Sequence, residues 1–339
     1  MKVVFCGDLS QNNGPANVNK NLYKYCNFKF IDTKQKNKIL IFLSFVISLF
    51  NNKVYIFSCN YRVNYFLFKL AKFFKKKTIY YMHGYAGFEA IVNKTDKPEK
   101  SIRREAYVHN NSDLILTVSE NYMNWFLEQK PEYSNKTYYL TNGINIDDYH
   151  NIKRSEKSHN YSKSIAVCGA NRAIKHNGII ASAVNKLCEK GHECSLKIYG
   201  YIYPDGDTIE ENDNVIVRGR IPQHELFKEL KKTNLFIVNS IQESFGLSII
   251  DALMCGCNVL ISKNSGIISI LDLQENDIIY DIDDIDEIQK KIIFNLEHSN
   301  NKRILDSIDF EHYSCQNSAK RLEKIAQCIL NNKDYKTIR

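Results

Sequence analysis

Short apolar runs, separated by polar stretches of helical length, recur along the whole chain. In the first half they fall at Val3–Cys6, Phe28–Ile31, Val54–Phe57, Thr78–Met82, Leu114–Val118 and Lys136–Leu140. Such runs, rich in β-branched and aromatic residues, read as strands buried on both faces. With helices between them, they predict the strand–helix alternation of a parallel, doubly wound sheet. A polar stretch without periodicity, Asp148 to Ser162, is placed as a linker. The pattern then restarts at Ile165–Cys168, Leu196–Tyr199, Val215–Val217, Leu235–Val238, Val259–Ile261 and Ile278–Tyr280. Pro222 suits the first turn of a helix ahead of Glu225 to Lys232. The expectation is an α/β chain with two Rossmann-like domains in tandem, residues 1–150 and 163–306, whose ligands bind at the carboxyl ends of the strands in a cleft between the domains.

The longest apolar stretch, Ile39 to Phe50, covers twelve positions. A membrane span needs about 20, so this stretch predicts a buried helix. Met1-Lys2 runs directly into the first strand, so no signal peptide is expected. The cysteines are scattered and many sit in apolar runs (Cys6, Cys168, Cys188, Cys328), while Cys255-Gly256-Cys257 is too tight for a zinc knuckle. They read as reduced, mostly buried thiols of a cytoplasmic protein. Charge is unevenly divided. Residues 1–160 carry 24 Lys/Arg and 13 Asp/Glu, or +11, and residues 161–339 carry 22 and 25, or −3, which together give the net +8.

The densest chemistry lies at Gln242-Glu243-Ser244-Phe245-Gly246-Leu247-Ser248-Ile249-Ile250-Asp251. An apolar run precedes it and another follows, so a loop and then a helix starting near Gly246 are expected between two strands. Unpaired N–H groups at a helix N-terminus favour a phosphate. The two acids, eight positions apart, are able to accept hydrogen bonds from sugar hydroxyls. Phosphate donors flanked by hydroxyl acceptors are what a nucleotide-sugar site requires.

This segment resembles the signature of glycosyltransferase family 4, retaining enzymes of the GT-B fold and of the bacterial surface-polysaccharide type. The pattern is Glu, then Phe-Gly, then a second Glu eight positions after the first; here Asp251 stands in place of that second Glu. Tyr81-Met82-His83-Gly84, Thr117-Val118-Ser119-Glu120 and Thr141-Asn142-Gly143-Ile144-Asn145 are similar to further landmarks of the family, in the same order. The resemblance spreads over most of the chain. It implies that a C-terminal helix, Ser314 to Leu330, crosses back to complete the first domain.

By that resemblance Glu243 bonds hydroxyls of the donor sugar and Asp251 the ribose. Ser244 and the N–H groups of Phe245, Gly246 and Leu247 belong to the nucleotide-sugar site. Arg172 and Lys175, in the loop after the second domain's first strand, are the cations that embrace the diphosphate, at a shorter spacing than the family's usual one. The need is physical, since bond cleavage places negative charge on the departing phosphate. Gly14 lies in a loop that opens a helix and that in the family touches phosphate or acceptor; an ordinary strand-to-helix turn explains it as well. His83 is assigned a place near the donor sugar, where it orients a hydroxyl or stabilises positive charge.

The resemblance therefore implies a retaining hexosyltransferase. It would move a sugar from a nucleoside diphosphate sugar, UDP-linked for preference, to a glycan or lipid-linked acceptor, without metal or other cofactor. Two rivals remain: a nucleotide-sugar epimerase on the same fold, and a non-catalytic partner subunit of transferase type. The acids Asp281, Asp283, Asp284, Asp286 and Glu287 read as a helix start, where carboxylates favour the dipole, and not as a metal site. The aromatic and basic stretch 64–77, with Lys69, Lys72 and Lys76 on one face, reads either as a sheet-covering helix with a wet lysine edge or as a peripheral contact with an anionic membrane at the cytoplasmic face. Its lysines are too short a run for a nucleic-acid groove.

Overall fold

The computed structural model describes residues 2–95, 98–149, 163–204 and 206–338. Of the expected linker, residues 150–162 lie outside the described residues. All twelve expected strands are present. The chain divides into two compact units: Met1–Ala90, Asp96–Ile146 and Asp309–Arg339 form the first, and Ile91–Thr95 and Asp147–Ile308 the second.

The first unit runs β1 (Val3–Gly7), α1 (Gly14–Tyr25), β2 (Lys29–Asp32), α2 (Lys38–Asn51), β3 (Val54–Ser58), α3 (Arg62–Phe73), β4 (Lys77–Met82), α4 (Ala86–Val92), α5 (Pro98–Asn111), β5 (Leu114–Thr117), α6 (Glu120–Gln129) and β6 (Thr137–Tyr139). Its sheet has the order β2-β1-β3-β4-β5-β6, and every neighbouring pair is parallel. Helices on both faces bury β1, β3 and β5 along their whole length. That is why these strands are continuous apolar runs and not alternating ones.

The second unit runs β7 (Lys163–Cys168), α7 (Asn177–Glu189), β8 (Cys194–Tyr199), β9 (Val215–Gly219), α8 (Gln223–Leu230), β10 (Leu235–Val238), α9 (Leu247–Met254), β11 (Asn258–Ser262), β12 (Ile278–Ile279), α10 (Ile285–Glu297) and α11 (Asn301–Asp306). Its six parallel strands have the order β12-β11-β10-β7-β8-β9. Chain order reverses between β7 and β10. The loops leaving these two strands diverge to opposite faces, and the gap between them is where such sheets hold ligands.

The last helix, α12 (Cys315–Asn331), belongs to the first unit. Ser318, Ala319, Leu322, Ile325, Ala326 and Ile329 form its buried face at helical spacing. It packs on α1, β3 and β4. The small residues let it approach closely: Ser318 Oγ donates to the Thr141 carbonyl at 3.0 Å and Cys26 Sγ meets the Ala319 carbonyl at 3.7 Å.

One expectation is overturned. The stretch Ile39–Phe50 forms α2, yet α2 is not a buried helix. Ile41, Phe45, Ser48 and Leu49 face the sheet, while Ile39, Leu40, Phe42, Leu43, Ile47 and Phe50 are exposed. A helix lying on a sheet buries one stripe. Here both sides are apolar, so the pattern carried no sign of which residues face water. The ten cysteines are free thiols, six of them buried and four half-buried.

A buried carboxylate anchors the end of β4. Glu105 Oε1 accepts from Tyr80 Oη at 3.2 Å and from the Ala86 N–H at 3.0 Å, and Oε2 accepts from the Gly87 N–H at 2.6 Å. It therefore fixes the first turn of α4, immediately after His83 and Gly84. Burial pushes the Glu105 carboxyl up from 4.5 to about 7, against the opposing effect of these hydrogen bonds. The folded chain thus keeps a proton that the unfolded chain releases above pH 4.5. Its contribution to stability is fully present below pH 4.5 and is lost as pH rises to about 7. Urea unfolding over roughly pH 5 to 8 should show this decline, and Glu105→Gln should flatten it relative to the parent chain. Parallel profiles for the two proteins would rule the assignment out.

Candidate functional site

Two loops of the second unit meet at its switch point. The first leaves β7 through Gly169 and Ala170, both at positive φ (+102° and +46°), then Arg172 and a short 3-10 turn, Ala173–Lys175. Asn177, buried in the first turn of α7, ties this loop down: its Nδ2 donates to the Ala170 carbonyl at 2.7 Å and to the Cys168 carbonyl at 3.3 Å. The second loop leaves β10 and carries Asn239 to Gly246. A backbone bond joins the two, from the Ile241 N–H to the Ile174 carbonyl at 2.9 Å.

Lys175 and Glu243 close this arrangement. Lys175 Nζ donates to Glu243 Oε2 in a tight ion pair, with both side chains about four-fifths buried (21% and 15% exposed). The Glu243 backbone is fixed as well. Its N–H donates to the Asn264 carbonyl at 3.2 Å, its carbonyl accepts from the Gly266 N–H at 2.8 Å, and the Phe245 carbonyl accepts from the Ile267 N–H at 2.8 Å. The acid is thus held by the segment that follows β11 as well as by its own loop.

Gly246, at φ +108°, caps α9. The positive φ favours glycine, and a Cβ there would also lie 2.8 Å from Ile249 Cδ1, which would have to shift. The first N–H groups of α9 have no intrahelical partner and leave partial positive charge at this end. Asp251 lies one turn further on, and its Oδ1 accepts from Tyr149 Oη at 2.7 Å. The shorter acid is therefore already oriented by a buried tyrosine.

A cavity of about 220 Å³ lies at this point, lined by Cys168, Gly169, Lys175, Asn177, Asn239 and Ser240, with Val238, Glu243 and Ser248 completing the wall. Asn239 Oδ1 and Ser240 Oγ are buried without a hydrogen-bond partner. Unsatisfied buried polar atoms are costly, and here they belong to residues that line the cavity. Of the residues singled out from the sequence, Lys175 and Glu243 line this cavity. Arg172 starts the same turn as Lys175, and Ser244, Phe245, Gly246 and Leu247 continue the loop from Glu243 into α9.

His83 and Gly14 belong to the first unit. His83 follows β4, is 8% exposed, and stacks edge-on against Tyr81 at 4.4 Å. Its Nε2 has no partner. Burial pushes the ring down from 6.5 to about 3, so it is neutral under ordinary conditions. Gly14 opens α1 behind Asn13, whose side chain accepts from the Ala16 N–H at 2.9 Å. Gly14 is exposed, and a Cβ there would meet nothing within 4 Å. No local strain or crowding demands glycine at that position.

Sequence reasoning missed Tyr149, Asn177, Asn239 and Ser240. Tyr149 gives no local signal, since its partner lies 102 positions away. The strand-end position of Asn239 and Ser240, directly after Leu235–Val238, was the available clue. The acids near 281–287 serve the start of α10, as expected: Asp284 accepts from the Asp286 and Glu287 N–H groups, and Glu287 accepts from those of Tyr280 and Asp281.

Residues 150–307 match the family model described as glycosyl transferases group 1. Together with the fold, that match supports a glycosyltransferase enzyme. The fold is GT-B. Solved structures show the same architecture at low identity. HepE of Anabaena, in complex with UDP, has a TM-score of 0.67 at 12% identity, over 96% of this chain and 99% of that one. Sucrose-phosphate synthase of Thermosynechococcus elongatus has a TM-score of 0.67 at 13% identity, over 98% and 100%. The lipopolysaccharide outer core galactosyltransferase WaaB, in its apo form, has a TM-score of 0.63 at 13% identity, over 98% and 99%. No curated protein matches the sequence.

The contact between Gly169 and Lys175 is open to test. A Cβ on Gly169 would lie 2.5 Å from Lys175 Cγ, in a backbone conformation that disfavours side chains. Gly169→Ala should cost about 1–3 kcal/mol in chemical unfolding. In a Lys175→Ala background the clash disappears, so the two substitutions should be measurably non-additive. Strict additivity would show that Gly169 does not set the lysine's path.

Proposed function

We propose that the chain is a retaining glycosyltransferase that moves a hexosyl group from a nucleoside diphosphate sugar to a glycan or lipid-linked glycan acceptor. One observation carries this reading: the Lys175–Glu243 pair and the N-terminal end of α9 converge beside a cavity at the β7/β10 switch point. A cation and free backbone N–H groups suit a diphosphate. A carboxylate beside the unpartnered Asn239 Oδ1 and Ser240 Oγ suits sugar hydroxyls. UDP is the favoured nucleotide, because HepE was solved with UDP and with UDP-glucose.

In this reading the bond between the anomeric carbon and the phosphate oxygen breaks, and its electron pair passes to the phosphate. The acceptor hydroxyl attacks the same face, and its proton passes to the departing phosphate oxygen. Arg172, Lys175 and the N–H groups of Phe245, Gly246 and Leu247 stabilise the developing charge. Glu243 orients the sugar and Asp251, set by Tyr149, the ribose. His83, held neutral, orients a hydroxyl. Because the side chains and amides carry the neutralising role, no metal ion is assigned. Surface-polysaccharide synthesis at the inner face of the cytoplasmic membrane, with peripheral contact near residues 64–77, is the setting that fits the basic first unit. No helix among the described residues is long and apolar enough to cross a membrane.

Thermal stability with UDP, GDP, dTDP, ADP and CMP in turn tests the donor site. A diphosphate at roughly a hundred times its dissociation constant stabilises by about 2.7 kcal/mol. A selective shift with UDP, lost in Arg172→Ala, is expected, and Glu243→Ala should abolish sugar turnover. No shift with any nucleotide, or full turnover in Glu243→Ala, would overturn the reading.

A further inference from the structure

The exposed face of α2 is the feature of the first unit that the proposed reaction leaves without a role. Its outward side presents Ile39, Leu40, Phe42, Leu43, Ile47 and Phe50, with Phe50 84% exposed and no polar residue among them. The surface continues onto α3. The rings of Phe42 and Phe66 lie 6.3 Å apart, and Lys76 Nζ reaches the Leu49 carbonyl at 2.5 Å, so the two helices run side by side. Phe66, Phe73 and Phe74 on α3 and just beyond it are exposed as well. Contiguous apolar surface of this kind marks an interaction site.

The charge around it selects the partner. Between Asp32 and Glu89 the chain has ten Lys and Arg and no Asp or Glu. The basic face expected on α3 is largely engaged within the unit. Lys72 pairs with Asp113 at 3.0 Å, Lys76 caps α2, and Lys69 sits 5.6 Å and 5.8 Å from the rings of Tyr65 and Tyr107. Exposed cations lie at the ends of the apolar face, Lys36 and Lys38 at the start of α2, Lys53 at its close and Lys75 after α3, while Arg62 and Lys69 are exposed on α3 itself. A second copy docking through the same face would bring cations against cations. An anionic lipid surface offers acyl chains to the apolar face and phosphates to its rim.

We propose that α2 is an interfacial helix, lying in the plane of an anionic bilayer with Ile39, Leu43, Ile47 and Phe50 among the acyl chains and Lys36, Lys38, Lys53 and Lys75 on the headgroups. The proposal deepens the peripheral contact suggested above and moves it from the lysine edge of α3 to α2. Its test is independent of the donor site.

The full chain is sedimented with phosphatidylcholine vesicles, with and without phosphatidylglycerol. Binding to the phosphatidylglycerol vesicles is expected, weakened by salt. Ile47→Glu/Phe50→Glu should lower the partition constant by at least about tenfold, since each side chain contributes by burial. Lys36→Glu/Lys38→Glu should lower it for the anionic vesicles. Both variants should keep the parental melting temperature and UDP response, because the altered residues are exposed. Glu243→Ala should bind vesicles normally even if it fails as a transferase. Absence of binding, binding indifferent to Ile47→Glu/Phe50→Glu, or a dimer in sedimentation velocity that this variant dissolves would each overturn the proposal.

Discussion

Strand direction is the constraint on which the rest depends. Every neighbouring pair in both sheets is parallel. Parallel neighbours cannot be joined by a tight turn, so each connection crosses back over a face of the sheet. The carboxyl ends of all strands in a unit then lie along one edge, and the polar loops gather there. In the second unit this brings the exits of β7 and β10 together, although Lys175 and Glu243 are 68 positions apart. The ion pair follows from the crossover topology, and neither loop could produce it alone.

Much of this was legible in the residues. Val3–Cys6, Leu114–Val118 and Leu235–Val238 are strands buried on both faces, and a buried strand of a parallel sheet has no choice but to be apolar throughout. The helix start near Gly246 was legible from its place between two apolar runs, whereas the positive φ of that glycine was not. The misreading of α2 has an equally physical cause. Apolar composition reports that a segment avoids water in some state of the protein, and not which neighbour supplies the cover. The lysines read as one face of a helix show the converse: α3 ends at Phe73, so Lys76 lies beyond it, and Lys72 and Lys76 bond Asp113 and the end of α2.

The contacts that reach across the chain were out of reach. Tyr149 and Asp251 meet through packing that no local pattern encodes, and Asn177 clamps the Gly169 loop in a manner indistinguishable, by sequence, from an ordinary polar residue in a first helical turn. By sequence, Asp251 was legible only as a shorter acid in place of the usual Glu. Tyr149 Oη donates to its Oδ1, so the side chain is positioned from outside the helix.

The Glu243 loop is stapled to residues 264–267, which belong to the next crossover. That segment holds Glu243 and Phe245 only through their backbones, and so fixes where the Glu243 side chain starts. A change in the length or turn of the Lys263–Gly266 region would therefore move Glu243 while leaving every signature residue intact. Two chains with the same acids and cations would then present Glu243 differently to the cavity, through a stretch that a motif comparison passes over.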